Sequence, residues 1–354
     1  MLNNRLTGTA ALLIGTFALT ACGGGGGSGG SGTGVPTPSV AAALSADPAQ
    51  IVEAGSRAAV ARPVFGSVVQ SAGHNVATIR TAGITRQGDI LHLDLQRTDG
   101  RRIALNSGDN LVNSDDAISL TGRTADEAVL LDADSNSITV ASGLVDYDPN
   151  NPGDWIAGGT WLHVVGDWRN GRVTGVEIGA IVDGPELSQP ASVPATGTAS
   201  YRGPAAGLYA ASYGTDSLTP GASEAREYDG QFTARANFAA GTVSGEIDIG
   251  ALDGVLVFPD GRTERVSDRN SPIHLFLQPA AINSDGSWVG GLELVAPGYT
   301  ITRQTGSWGS RFSTRTDRSG HPRLLAGTHA GSATTRGGTE TVYVGAHAGV
   351  TGAF

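Results

Sequence analysis

From Tyr228 to Phe238 the chain alternates without a break. Tyr228, Gly230, Phe232, Ala234, Ala236 and Phe238 fall on one side, and Asp229, Gln231, Thr233, Arg235 and Asn237 fall on the other. A period of two marks a β-strand with one buried and one wet face. Ala239-Ala240-Gly241 turns the chain, after which Val243, Gly245, Ile247 and Ile249 alternate with Ser244, Glu246 and Asp248. The two runs predict an antiparallel hairpin. Similar runs predict strands at 198–202, 208–213, 273–278, 287–295, 306–314, 324–330 and 339–347. Eight or nine such strands close into an up-and-down antiparallel β-barrel, which exposes no edge. The glycines inside the strands suit its tight curvature. The barrel domain is expected over 195–354.

Upstream, 51–194 reads as a second β-rich region, with strands expected at 64–70, 89–96, 102–106, 137–142 and 158–165. In Ile90-Leu91-His92-Leu93-Asp94-Leu95 three leucines alternate with Ile, His and Asp, the pattern of a sheet solvated on one face. His92 is expected on the wet face. The long polar connections at 145–155, 216–227 and 259–271 read as loops and, for a binding protein, as the first places where ligand recognition is expected.

The N-terminal segment is patterned differently. Met1 to Arg5 is polar with one positive charge, and the uncharged apolar run from Leu6 to Ala21 is shorter than the roughly 20 residues that span a bilayer. Residues 1–21 therefore read as a signal peptide. Leu19, Thr20 and Ala21 before Cys22 resemble a lipoprotein lipobox, which makes Cys22 the lipidated, palmitate-type attachment site of the mature chain. The residue after it is Gly23 rather than aspartate, which favours lipid anchoring at the outer membrane of a Gram-negative bacterium, at its periplasmic face or on the cell surface. The Gly/Ser/Pro-rich stretch 22–50 has too little apolar surface to fold and reads as a disordered tether.

Charge and chemistry narrow the rest. A net charge of −10 argues against nucleic acid as a partner, and without lysine the chain has neither a Walker loop nor a Schiff-base nucleophile. Gly26-Gly27-Ser28-Gly29-Gly30 matches a nucleophile elbow in letters only, because a glycine run supplies neither the strand nor the helix that the elbow requires. The histidines show no metal-binding spacing, so no metal and no cofactor are expected. Asp132-Ala-Asp134-Ser-Asn136 and Asp146-Tyr-Asp148-Pro-Asn150 begin like calcium loops, yet both lack the sixth-position glycine and the twelfth-position glutamate. Turns capped by Asx side chains are the expected reading, with calcium at Asp132/Asp134 or Asp146/Asp148 left open. No triad, metal cluster or supported carboxylate pair appears, so no catalytic residue is assigned and the chain is read as not an enzyme.

Several segments carry a family resemblance. They are Gly197-Thr-Ala-Ser-Tyr201-Arg-Gly203-Pro-Ala-Ala-Gly207-Leu-Tyr209, Gly230-Gln-Phe232-Thr-Ala, Ala236-Asn-Phe238-Ala-Ala-Gly241-Thr-Val-Ser-Gly245, Gly306-Ser-Trp308-Gly-Ser-Arg-Phe312, Pro322, Ala326-Gly-Thr-His-Ala330 and Val344-Gly345-Ala-His-Ala-Gly349. With Trp155-Ile-Ala-Gly-Gly159-Thr-Trp161 and Ile178-Gly-Ala-Ile-Val-Asp183-Gly184 upstream, this ordered set resembles transferrin-binding protein B-like bacterial lipoproteins. The resemblance implies an all-β fold in which a handle-like domain over 51–194 precedes an eight-stranded barrel of the transferrin-binding protein B type. It also implies a non-catalytic role: solute binding, with a host or environmental protein or small solute as ligand, and nutrient acquisition of the iron type beside a TonB-dependent outer-membrane transporter. An integral outer-membrane barrel and a lipid-anchored enzyme are the competing readings. The ligand-binding residues are not assigned by the resemblance.

Overall fold

The computed structural model describes residues 51–54, 64–65, 70–71, 74–75, 79–87, 90–97, 100, 102–106, 112–114, 120, 124–133, 136–167, 172–187, 189–258 and 262–352. Leu19, Thr20, Ala21, Cys22 and Ser28, like the whole leader and tether, lie outside the described residues. Among the described residues the fold is almost wholly β, and the single helical turn is the 3-10 segment Pro185–Leu187.

In chain order β1 (Ile51–Ala54) and β2 (Val64–Phe65) precede a short ladder of β3 (Gln70–Ser71) with β4 (His74–Asn75). Then come β5 (Ile79–Gln87), β6 (Ile90–Arg97) and β7 (Arg102–Asn106). These build a first sheet ordered β2-β1-β5-β6-β7. Next follow β8 (Val112–Ser114), β9 (Thr124–Ala133), β10 (Ser137–Asp148), β11 (Asn151–Asp167) and β12 (Arg172–Asp183), which form a second sheet ordered β12-β11-β10-β9-β8.

The alternation in β6 and β7 holds: Leu93, Leu95, Ile103 and Leu105 are buried, while Ile90, Arg102 and Ala104 are exposed. His92 is half-buried, and Asp94 pairs with Arg102 at 2.7 Å. The second sheet is covered on both faces. Ala141, Val145, Trp155, Ala157, Trp161 and Ile181 pack against the first sheet. From the opposite face Ile156 and Val182 join Leu187 against Leu324, Ala326 and Ala346 of the barrel wall.

The barrel strands are β13 (Thr198–Ser212), β14 (Ser223–Asn237), β15 (Thr242–Val257), β16 (Thr263–Asp268), β17 (His274–Ala281), β18 (Ser287–Val295), β19 (Ile301–Phe312), β20 (Leu324–Thr335) and β21 (Glu340–Thr351). They run β14-β13-β21-β20-β19-β18-β17-β15, and β14 pairs again with β15, so eight antiparallel strands close. The ninth, β16, adds to the second half of β15 outside the closed ring. The predicted hairpin is present and longer than its sequence signal: β14 and β15 pair from Asn237↔Thr242 to Ser223↔Val257. Its apolar side faces inward, where Tyr228, Phe232, Ala236 and Phe238 pack with Trp288, Trp308, Phe312 and Tyr343. The Trp288 and Phe312 ring centroids are 4.7 Å apart. Each such ring contributes about 1.5–3 kcal/mol by leaving water.

Three expected loops differ in the structure. Residues 145–155 form the paired ends of β10 and β11 around a tight turn, because Val145 and Trp155 belong to the buried face and extend the ladder. Asp148 does cap that turn, accepting from the Asn150 N–H at 2.9 Å. The connection at 216–227 ends at Ala222, since Ser223 to Glu227 already pair with β15. The connection at 259–271 contains β16.

Candidate functional site

A cleft of about 750 Å³ opens between the second sheet and the barrel wall. Its sheet side is built by Ser142, Leu144 and Asp146 of β10, by Ile156 and Gly158 of β11, and by Val182 of β12, with Leu120 at its margin. Its barrel side is built by β13, β14, β15 and β21, including Ala206, Glu227, Asp229, Asp248, Ala251 and Asp253. Pockets of this size suit small ligands.

The acidic wall follows from strand geometry. On β14, Glu227 and Asp229 are the outward partners of the inward Tyr228 and Phe232 series. On β15, Asp248 and Asp253 are five residues apart, a spacing that in a regular strand places them on opposite faces. A β-bulge corrects this. Asp229 pairs with Ala251 and Gly230 with Ile249, leaving Gly250 as the extra residue. Ile247 and Ile249 therefore point into the barrel before the bulge and Leu252 after it, while Asp248 and Asp253 both line the cleft.

The cleft lining is rich in carboxylates. Five carboxylates line it (Asp146, Glu227, Asp229, Asp248 and Asp253) against one arginine, Arg269. Arg269 lies 3.3 Å from Asp253, and His274 Nδ1 lies 2.5 Å from Asp248 Oδ1. Burial pushes the Asp229 carboxyl up to about 6; the negative charge of Asp253 adds to this rise and Arg269 opposes it.

The junction beside the cleft is pinned by ion pairs. Arg315 Nη1 reaches Asp154 Oδ2 at 2.5 Å, and Arg323 Nη2 reaches Glu186 Oε1 at 2.7 Å. Both carboxylates are buried. The Thr314 N–H donates to the Glu186 carbonyl at 3.0 Å, tying the 3-10 turn to the loop between β19 and β20. A carboxylate buried at such a place needs its partner, so these pairs fix how the sheet sits on the barrel.

A second polar cluster lies inside the barrel. Ser310 Oγ is 2.7 Å from His347 Nε2, and His347 Nδ1 is 3.0 Å from His329 Nδ1. His329 Nε2 in turn contacts the Tyr228 hydroxyl. Neutral imidazoles carry one N–H each, so this string can be satisfied with its protons pointing either way. Burial lowers His329 to about 3 and lowers His347 too, with His329 adding to the effect there. Gly345 makes the cluster fit, because a Cβ there would stand 2.2 Å from the Tyr228 hydroxyl and 2.7 Å from His329 Nε2. The Ser310–His347 contact has the spacing of a nucleophile and its base. Both residues are buried, and His347 is also among the residues that line the cleft.

Sequence spacing could not find either cluster. His329 and His347 are 18 residues apart and meet because β20 and β21 pair as His329↔Gly345 and Gly327↔His347. The carboxylates meet through the bulge. Of the residues weighed for calcium, Asp132 lies on β9, Asp134 is outside the described residues, Asp146 lines the cleft and Asp148 caps its turn. Among the described residues no three His, Cys, Asp or Glu side chains form a group able to hold a metal ion. The chain matches no protein-family model and no curated protein.

Proposed function

We propose that this chain is a non-catalytic binding lipoprotein, anchored through Cys22 to the outer membrane, which holds its ligand in the cleft between the second sheet and the barrel. The cleft carries the reading: it combines the volume of a ligand site with apolar and charged lining and lies on two scaffolds that ion pairs fix together. A closed barrel preceded by smaller sheets agrees with the resemblance to transferrin-binding protein B-like lipoproteins in architecture. On that reading the handle-like part is the pair of sheets, and nutrient capture beside an outer-membrane transporter is the role. The outer wall favours the anchored form over a spanning barrel. Arg202, Gln231, Arg235, Gln278, Glu293 and Arg303 are exposed on it while the aromatic rings fill the interior, the reverse of a lipid-facing wall.

The test uses protein purified from its own envelope. Native mass spectrometry of the full chain should show a bound mass that is absent from Ala206→Trp, a substitution that fills the cleft from the exposed side of β13 while melting temperature stays within a degree or two. Retention of the bound mass in that variant would place the ligand elsewhere. Fatty-acid labelling checks the anchor: label should disappear in Cys22→Ala, since the chain holds no other cysteine.

A further inference from the structure

We infer that the cleft takes an uncharged amphiphile, an aliphatic chain that carries one neutral oxygen, such as an alcohol or an ester. This inference rests on the cleft being the binding site. β12 rests on β20 and β21, and β11 on β21. β10, the next strand of the sheet, faces β13 and β14 across the cleft. Leu144, Ile156 and Val182 on one wall and Pro204, Ala206 and Ala348 on the other give aliphatic surface that takes a hydrocarbon chain out of water. Among the described residues the aromatic members of the lining are Tyr228 and His347, and both turn their rings into the barrel. Tyr228 contacts His329 there, and His347 contacts Ser310 and Phe232. A surface of methyl and methylene groups without rings suits a flexible chain better than a flat aromatic ligand.

The charged rim is already matched. Asp248 is held by His274 at 2.5 Å and Asp253 by Arg269 at 3.3 Å. Asp146 and Glu227 have interaction partners of their own, and Arg269 also acts on Asp229. A charged ligand head of either sign would leave water and meet no unmatched counter-charge, or would have to displace one of these partners.

A neutral oxygen does find a place. Ser142 and Thr160 face each other in the β10–β11 ladder and both line the cleft; Thr160 is buried, and the two hydroxyl oxygens are 3.4 Å apart. A hydrogen bond between two hydroxyls uses one of their two hydrogens, whichever donates. The other hydrogen is left for an acceptor, and a ligand hydroxyl or carbonyl oxygen supplies one. Gly158, two residues from Thr160 on the same face, keeps that approach open. A side chain there would fill the gap toward the barrel wall, since an added Cβ would already stand 3.6 Å from the Ala346 Cβ.

The experiment compares three probes of one chain length, each with a single fluorine on its last carbon: 8-fluorooctan-1-ol, 8-fluorooctanoate and 8-fluorooctylamine. Each is titrated by fluorine NMR against the full chain in lipid nanodiscs, with empty nanodiscs as the control for partition into the bilayer. The alcohol should bind saturably and about tenfold more tightly than either charged probe. Ser142→Ala with Thr160→Val should weaken the alcohol about fivefold. A charged probe that binds as tightly as the alcohol, with binding lost in Ala206→Trp, would overturn the neutral selectivity and leave the cleft as a site. Alcohol binding unchanged in the double variant would overturn the hydroxyl pair as its anchor. Alcohol binding that survives Ala206→Trp would overturn the cleft itself. No saturable binding by any probe would overturn the ligand class, while the bound mass of the native protein still reports on the cleft.

Discussion

The barrel and the two-sheet region are built from the same kind of strand and solve opposite problems. The barrel closes on itself: β14 returns to β15, every strand of the ring has two neighbours, and one apolar face per strand fills the interior. The second sheet cannot close, so it buries one face on the first sheet and the other on the barrel. That difference explains their sequence patterns. β14 alternates cleanly because its outer face is largely wet, whereas β11 is buried continuously from Asp154 to Ala157 and shows no alternation there. It also explains where a cleft forms. The inward rings fill the barrel core, and the cleft lies where the second sheet meets the outside of the barrel wall.

The contrast can be tested by substitutions of decreasing effect. Phe232, fully buried in the barrel, should cost about 3–5 kcal/mol on conversion to Ala, measured by urea unfolding. A loss below 1 kcal/mol would mean that the ring is not part of a close-packed core.

Acid should act on the barrel through His329 and His347. Their folded values lie below the ordinary histidine value, so the unfolded chain binds the additional protons and stability falls as pH drops below about 6.5. Each histidine contributes at most about 1.4 kcal/mol per pH unit in that window. Asp229 works in the opposite direction: its raised folded value means the folded form holds its proton more tightly between about 6 and 3.8, so stability rises there as pH falls. The net slope from pH 6 to pH 4 should therefore be close to that of one histidine. His329→Gln should flatten it, and an unchanged slope in that variant would rule out the histidines as its origin.

The junction should respond more weakly. Arg323→Ala leaves the buried Glu186 with Arg315 at 3.6 Å, and since Arg323 is itself partly exposed the cost should be about 1–3 kcal/mol. Hydrogen exchange should quicken in β11 and β12 and not in β14 or β15; uniform quickening would mean that the two regions unfold as one unit. Smallest of all should be Gly250→Ala at the bulge. An added Cβ would meet nothing nearer than the Asp229 carbonyl at 3.8 Å, so the change should stay within about 0.5 kcal/mol. A large loss would show that the bulge needs glycine for more than space.

The sequence by itself determined the hairpin of β14 and β15, the inward set from Tyr228 to Phe238 and an antiparallel barrel, because a half-wet strand writes its two faces into a period of two. It could not determine 145–155, where consecutive buried residues at each end (Val145 and Asp146, Asp154 and Trp155) erase that period, nor the short β16, whose exposed residues lack it. The acidic wall of the cleft and the His329–His347 string were decided only by tertiary structure. A one-residue bulge changes which side Asp253 takes, and strand register brings together histidines 18 residues apart. Both depend on pairing between strands, and a single strand's pattern carries no record of its partner's register.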